Sequence, residues 1–200
     1  MYLSDDKIAT LCGYKLYLDP NNNLFHRTHE NAGLISPFKA YSETVNHTSV
    51  GLSSCGYDLS LGPQFKKIIG GDVDYSKPIL DETYEEYGHQ VVLSPNEFVL
   101  AHSVEYIRMP SYLVGFVLDK SSLARRGLSV QNTCIEPGWE GIITLELHNM
   151  SSRNITIVEG MGIAQLCFAV LETIPVLPYN IKNNGKPGKY QNQTGVQPAR

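Results

Sequence analysis

The sequence predicts a mostly β protein, an antiparallel sandwich or barrel formed by a single domain. Short apolar or alternating runs recur from residue 57 onward, and turns that contain Pro, Gly or Asn separate them. The chain has 200 residues, which is enough to bury a substantial core in one domain spanning 1–200. The runs predicted as strands are 57–61, 90–93, 98–106, 114–118, 141–149, 155–158 and 163–171.

The first 50 residues predict one short helix followed by a long connection. Within residues 1–17, Ser4 stands where an N-cap would lie, shortly before Lys7–Leu11. Two aspartates follow Ser4, and acidic side chains in a first turn interact favourably with the helix dipole. Residues 18–50 are rich in Asn, His and Ser, and their pattern assigns no structure to them.

The segment that starts at Lys120 concentrates groups suited to a nucleotide phosphate. Ser121 is predicted to cap a short helical turn, and Gly127 is predicted to end it. Free N–H groups at a helix start attract anions, and Ser122 adds a second hydroxyl there. Arg125, four residues after Ser121, would share its face and supply a permanent charge. We therefore predict a phosphate site at this turn.

A strand that carries one isolated acid follows. Residues 136–139 form a predicted turn, and residues 141–149 alternate as a strand. The residues on one face are Ile143, Leu145 and Leu147, and those on the other are Thr144, Glu146 and His148. Taken alone, a glutamate on a polar strand face is most often solvated. Its position just after the phosphate-binding residues favours a nucleotide site.

Composition limits the partners. The net charge of −4 does not suggest a polynucleotide binder, so phosphate attraction must be local. The four cysteines form no C-x-x-C pair or metal spacing, and we expect reduced thiols in a cytoplasmic protein. No long apolar run is present, so no membrane partner is expected. The acidic, tyrosine-rich residues 72–87 are expected to be a surface excursion.

The segments SSLARRGL and IEPGWEGIITLELHN resemble the signature of the dCTP deaminases, a branch of the trimeric dUTPase superfamily. Further agreement comes from GYDLSLGPQF (56–65), EGMGIAQL (159–166), PYN (178–180) and KYQNQTG (189–195). The resemblance implies a dUTPase-like distorted β-barrel or jelly-roll and a homotrimer with sites between subunits. Residues 182–200 have the composition of a disordered end, but the resemblance implies that residues 180–200 form a flexible lid that orders over bound nucleotide.

The implied reaction is hydrolytic deamination of a deoxycytidine nucleotide, dCTP to dUTP plus ammonia, which supplies dUMP and dTTP. The H-x-E and P-C-x-x-C signature of zinc deaminases is absent, so the resemblance implies metal-free chemistry at the carbon. Glu146 would take a proton from water and return it toward the leaving amine. That role requires a pKa raised by burial. Magnesium is expected only as the counterion of the triphosphate.

The other roles follow from the same match. Ser121 and Arg125 would act with Glu146, positioning the water and stabilising developing charge. The implied substrate-binding residues are Lys120, Ser122, Glu136, Trp139, Thr144, Leu145, Gln165, Tyr179, Lys189 and Gln193. Lys120 replaces an arginine common in the family, and Glu136 replaces an aspartate that contacts the deoxyribose.

The segment LSVQNTCIE (128–136) is shorter than the corresponding loop of many dCTP deaminases, and that loop lies over the base. Base selection and product therefore stay open. A bifunctional deaminase giving dUMP, or one that accepts dCMP or a modified cytosine, is the main alternative. A dUTPase is a further alternative, but its usual motif has Asp and Tyr where this chain has Glu136 and Trp139. The last alternative is a non-catalytic nucleotide-binding regulator. The presence of Glu146 argues against it, because binding alone would not require a carboxylate beside an anionic ligand.

Overall fold

Two six-stranded antiparallel sheets form the main layers in a computed structural model of the chain, which describes residues 1–19, 22–27, 33–70, 76 and 83–199. The elements are, in chain order, α1 (Asp5–Leu11), β1 (Tyr14–Asp19), β2 (Asn22–Arg27), β3 (Ile35–Ser36), β4 (Glu43–Val45), β5 (Thr48–Ser53), β6 (Gly56–Ser60), β7 (Gln64–Gly70), β8 (Thr83–Gly88), β9 (Gln90–Leu93), β10 (Phe98–Arg108), β11 (Leu113–Asp119), α2 (Ser121–Ala124), β12 (Leu128–Val130), β13 (Cys134–Ile135), β14 (Glu140–Asn149), β15 (Ile155–Val158), β16 (Gly162–Val170) and a 3₁₀ turn (Tyr179–Ile181).

The first sheet has the strand order β12-β14-β10-β7-β8, with β3 also paired to β10. The second has the order β13-β11-β16-β6-β5-β4, and two ribbons, β1-β2 and β15-β9, complete the strands. The predicted mostly β, antiparallel architecture is confirmed. Within the described residues neither strand order closes on itself, so the barrel is distorted and open.

One cluster of buried apolar side chains joins the two sheets. In β14, Ile143, Leu145 and Leu147 are at most 2% exposed, as the alternation predicts. They belong to the same cluster as Leu59 of β6 and Phe168 of β16, which lie in the second sheet. The opposite face of β14, which carries Thr144 and Glu146, therefore points away from this apolar cluster.

The N-terminal helix is confirmed, but its cap differs from the prediction. Ser4 occupies the N-cap position, yet its side chain makes no capping hydrogen bond. The Asp5 carboxylate instead accepts a bond from the Asp6 N–H at 2.8 Å. Since β1 begins at Tyr14, residues 1–17 contain the start of a hairpin as well as the helix.

Residues 18–50, to which the sequence assigned no structure, contain parts of five strands, from the end of β1 to the start of β5. These strands are short or polar, so they carry little of the alternation that marks a half-buried strand. In the acidic segment 72–87, Thr83–Gly88 forms the edge strand β8 with mostly exposed side chains. Residues 72–75 and 77–82 lie outside the described residues.

The short helix after β11 begins at the predicted place with a different cap. Lys120, and not Ser121, is the N-cap residue, and it makes no side-chain capping bond. The turn ends at Gly127, whose φ is +90°. A Cβ at Gly127 would lie 2.6 Å from the Ser151 Cβ, so both conformation and space require glycine there.

All four cysteines are unpaired in the structure. No helix among the described residues is both long enough and apolar enough to cross a membrane.

A buried acid lies at a bulge in β10. The β10–β14 register shifts between His102 and Tyr106. Ser103 Oγ fills the gap by donating to the Glu105 carbonyl at 2.8 Å and accepting from the Ile143 N–H at 3.0 Å. The Glu105 residue is 1% exposed, and its carboxylate accepts the Ser60 N–H at 3.0 Å. Burial raises the pKa of Glu105 to about 7.

This raised pKa predicts a specific pH dependence of stability. Between the ordinary glutamate pKa and about 7, the folded protein holds a proton that the unfolded chain releases. The contribution of Glu105 to the free energy of unfolding is therefore largest below the ordinary pKa. It falls by about 3 kcal/mol as pH rises through about 7. Glu105→Gln cannot ionise and should lack this fall. Urea unfolding of both proteins from pH 5 to pH 8 checks it, and parallel pH profiles would contradict it.

Candidate active site

A pocket of about 720 Å³ lies between the first sheet and the C-terminal tail. Thr144 and Glu146, on the polar face of β14, form part of its wall. Phe98 and Leu100 of β10 contribute apolar surface, and Leu100 lies opposite Glu146 in the strand register. The pocket therefore places a carboxylate beside an apolar wall.

Glu146 is half-buried, and removal of its carboxylate from water raises its pKa. A raised pKa makes the carboxylate a stronger base and allows its protonated form to persist to a higher pH than in a solvated glutamate. Because the side chain also lines the pocket, a bound molecule could exchange a proton with it. These are the properties that a proton shuttle requires.

The turn before β14 supplies two more pocket residues. The Trp139 N–H donates to the Glu136 carbonyl at 3.1 Å, and Gly138 has φ of +79°, which suits the third position of a type II turn. Trp139 is 6% exposed, and its indole Nε1 donates to the Tyr190 carbonyl at 2.9 Å. The Glu136 carboxylate pairs with Lys182 Nζ at 2.5 Å. Both pairings attach the tail to this turn.

The tail lies against β14 and forms another wall of the pocket. Gln193 accepts from the Ile142 N–H at 2.9 Å through its carbonyl and donates from Nε2 to the Ile142 carbonyl at 2.7 Å. The Tyr179 hydroxyl accepts the Tyr190 N–H at 2.9 Å. Of the predicted tail contacts, Tyr179, Lys189 and Gln193 all line the pocket. The C-terminal tail therefore makes specific side-chain contacts, although its composition is that of a disordered end.

Sequence reasoning missed two residues of this wall. Asn132, in the compact segment 128–136, donates from Nδ2 to the Thr144 carbonyl at 2.7 Å and accepts the Glu146 N–H at 3.3 Å. Lys182 pairs with Glu136 and lies over the Tyr179 ring at 5.2 Å. An asparagine in a segment that departs from the family pattern was the available signal for the first. Nothing in the sequence marked the second.

Lys120, predicted to bind phosphate, lies elsewhere in a buried ion pair. Its Nζ is 2.6 Å from Asp58 Oδ2 and donates to Ser49 Oγ at 2.8 Å. Ser49 Oγ also donates to Asp58 Oδ2 at 2.7 Å. Lys120 is 8% exposed, so its charge is committed to this cluster between β5, β6 and the start of α2.

The remaining predicted residues also lie away from the pocket. Ser121, Ser122 and Arg125 are exposed on and just after α2, which follows a strand of the second sheet. Gln165, on β16, donates to Ser53 Oγ at 3.1 Å. Leu145 is fully buried in the core on the opposite face from Glu146. The residues brought together in the pocket are Glu136, Trp139, Thr144, Glu146, Tyr179, Lys189 and Gln193.

Within the described ranges, no group of three or more His, Cys, Asp or Glu side chains is placed to hold a metal ion.

Comparison with known proteins identifies similar chains. Residues 19–171 match a family model described as dCTP deaminase-like. The dCTP deaminase of Roseiflexus castenholzii is 38% identical over 171 residues, covering 84% of this chain and 91% of that protein. The dCTP deaminase of Campylobacter hominis is 36% identical over 167 residues, covering 82% of this chain and 86% of that protein.

A solved deaminase structure has a similar fold. It is the 2′-deoxycytidine 5′-triphosphate deaminase of Agrobacterium tumefaciens, with a TM-score of 0.54 and 16% sequence identity. The match covers 85% of this chain and 48% of that one. At this identity the likeness concerns the fold alone.

Proposed function

Because this chain belongs to the dCTP deaminase-like family, we propose that it is an enzyme that hydrolyses dCTP to dUTP and ammonia. The observation that carries the proposal is Glu146, a half-buried carboxylate with a raised pKa that opens onto a nucleotide-sized pocket. Two relatives of this chain are named dCTP deaminases, and the chain matches them over most of their length. The product would feed the supply of dUMP and dTTP.

In the proposed reaction, Glu146 removes a proton from a water molecule as the water oxygen bonds to C4 of cytosine. The resulting tetrahedral centre carries both the new oxygen and the original amine. Glu146, now protonated, passes its proton to the amine, and the C4–N bond breaks. Ammonia leaves, the proton of the new C4 hydroxyl moves to N3, and C4 becomes the carbonyl of uracil, so one water is consumed for each ammonia released.

The pocket residues have complementary proposed roles. Glu136 and Trp139 would contact the sugar and base, and Thr144 would contact the base beside Glu146. Tyr179, Lys189 and Gln193 would bind the triphosphate as the tail closes. Magnesium would arrive bound to the triphosphate, as part of the substrate.

We further propose that a second copy of the chain completes the site in a homotrimer. A triphosphate carries several negative charges, but the cations of the described pocket wall are Lys182 and Lys189, and Lys182 is paired with Glu136. Arg125 and the hydroxyls of Ser121 and Ser122 are exposed on and just after α2, outside the pocket of their own chain. Placed against the pocket of a neighbour, they would supply the missing charge. The ion pair of Lys120 with Asp58 would hold the start of α2 in place.

The substrate would be a free nucleotide in the cytoplasm, without any polynucleotide partner. Purified protein incubated with dCTP and magnesium is expected to release ammonia and dUTP in equal amounts. Formation of dUMP and pyrophosphate would establish a bifunctional enzyme, and activity on dCMP would widen the substrate range. If no deoxycytidine nucleotide releases ammonia while dCTP still binds, the protein is a regulator and the proposal is wrong.

A further inference from the structure

The edge of β14 that carries Glu146 is completed by side chains rather than by a continuous strand. Strand β12 pairs with β14 through Val130, opposite Leu147. The next residue, Gln131, donates its N–H to the Glu146 carbonyl at 2.9 Å. The chain then leaves the sheet, and the next residues, Thr133 and Cys134, lie in the wall of the pocket.

Where the chain leaves the sheet, the side-chain amide of Asn132 makes the hydrogen bonds to β14 that the next peptide group of a continuing strand would make. Its Nδ2 donates to the Thr144 carbonyl at 2.7 Å, and its Oδ1 accepts the Glu146 N–H at 3.3 Å. A primary amide carries a donor and an acceptor at nearly the spacing of a peptide. Both backbone groups of Glu146 are therefore held by two consecutive residues of the compact segment 128–136.

A second amide continues the same edge. Gln193, in the tail, pairs with Ile142 through both its backbone and its side chain. Its Nε2 also lies 3.4 Å from the Thr144 hydroxyl. Asn132 and Gln193 thus meet the pocket strand on either side of Thr144. The backbone of β14 is paired along this edge, although no strand in the described part of the chain covers it there.

We propose that Asn132 is a positioning residue for Glu146, an inference that rests on the proposed deamination. The Asn132 amide fixes the backbone of Glu146. Because this amide replaces a strand at the sheet edge, the residues that follow can turn away and form part of the pocket wall. A strand that continued past Val130 would pair the same groups but would place its own backbone where the pocket opens. The short segment therefore closes the sheet edge without covering the carboxylate.

Two substitutions separate this role from simple support of the fold. Asn132→Ala removes both hydrogen bonds and lets the Glu146 backbone shift, so kcat should fall about 10- to 100-fold with a smaller change in KM. Asn132→Asp keeps the shape, loses the donor to Thr144 and places a negative charge near Glu146. That charge should raise the pKa of Glu146 further and move the acidic limb of kcat/KM to higher pH. A purely structural asparagine would instead lower the thermal stability of Asn132→Ala and leave the kcat of the folded protein unchanged.

The experiment measures kcat, KM, the pH profile of kcat/KM and thermal stability for the wild type, both variants and Ser129→Ala. Ser129 lies on β12 outside the pocket, and its variant should retain wild-type kcat. If Asn132→Ala fails to fold, the isosteric Asn132→Asp decides the matter. A folded Asn132→Asp protein with wild-type kcat and an unshifted acidic limb would overturn the inference. An inactive wild type would instead overturn the proposed reaction.

Discussion

Replacement of Glu146 by glutamine is expected to lower kcat about a thousandfold while dCTP binding stays within a few-fold of wild type. Glutamine has nearly the same shape as glutamate, so the pocket wall formed by Thr144 and its neighbours should persist. An amide, however, can neither take a proton from water nor return one to the amine. The loss should therefore appear in turnover and not in affinity.

Ammonia release and calorimetric titration with dCTP measure these two quantities. The matched control is Glu140→Gln, the same substitution on the same face of β14 but outside the pocket. It should leave kcat near the wild-type value. Normal deamination by the Glu146→Gln protein would show that another group moves the proton.

The pH profile of the wild type gives an independent check. Burial raises the pKa of Glu146, and the ionised form is the one that activates water. As pH falls through this raised pKa the base is lost, so the acidic limb of kcat/KM should lie above the ordinary range of a glutamate. An acidic limb within that ordinary range would mean that Glu146 is fully solvated in the working enzyme.

Activity recovered by mixing two inactive variants is the second large effect that we expect. Arg125→Ala removes the charge proposed to reach a neighbouring pocket and should lower kcat about a hundredfold or more. Glu146→Gln damages the other half of the site. If each site takes Glu146 from one subunit and Arg125 from another, trimers assembled from equal amounts of the two variants contain some intact sites.

The size of the recovery follows from random assembly. Half of the subunits carry an intact Glu146 and half carry an intact Arg125, so about a quarter of the sites should be fully active. Co-refolding the two variants and measuring ammonia release tests this number. A mixture of Glu146→Gln with Glu146→Ala, which are defective in the same half, should recover nothing. Failure of the first mixture in a protein of trimeric mass would place both residues in one subunit.

Much of the fold was predictable because the pattern of burial is local. The strands 90–93 and 155–158 were predicted with the bounds that the structure has, and the buried face of β14 followed from alternation. The short strands within residues 18–50 were not predictable. β3 and β4 have only two and three residues, which is too few to show a period of two. The cap of α2 was also misplaced, because Lys120 lacks the side chain that marks an N-cap.

The candidate site was only partly predictable. The resemblance selected Glu146, Trp139 and the tail residues, and these do share one pocket. It also grouped Arg125 with them, whereas the chain places that residue just after α2, outside the pocket. Arg125 precedes β12 and Glu146 follows it. The two residues are separated because the chain crosses between the sheets in this region.

By itself the sequence determined that this protein is an antiparallel β protein of the dCTP deaminase family with Glu146 on the polar face of a strand. Only the tertiary structure decided that Lys120 is committed to Asp58, that Asn132 holds the Glu146 backbone, and that burial raises the pKa of Glu146. The physical reason is that side-chain periodicity records which face of a strand is buried. It carries no information about which distant groups meet that face or its edge, and these contacts set the charge and position of the reacting carboxylate.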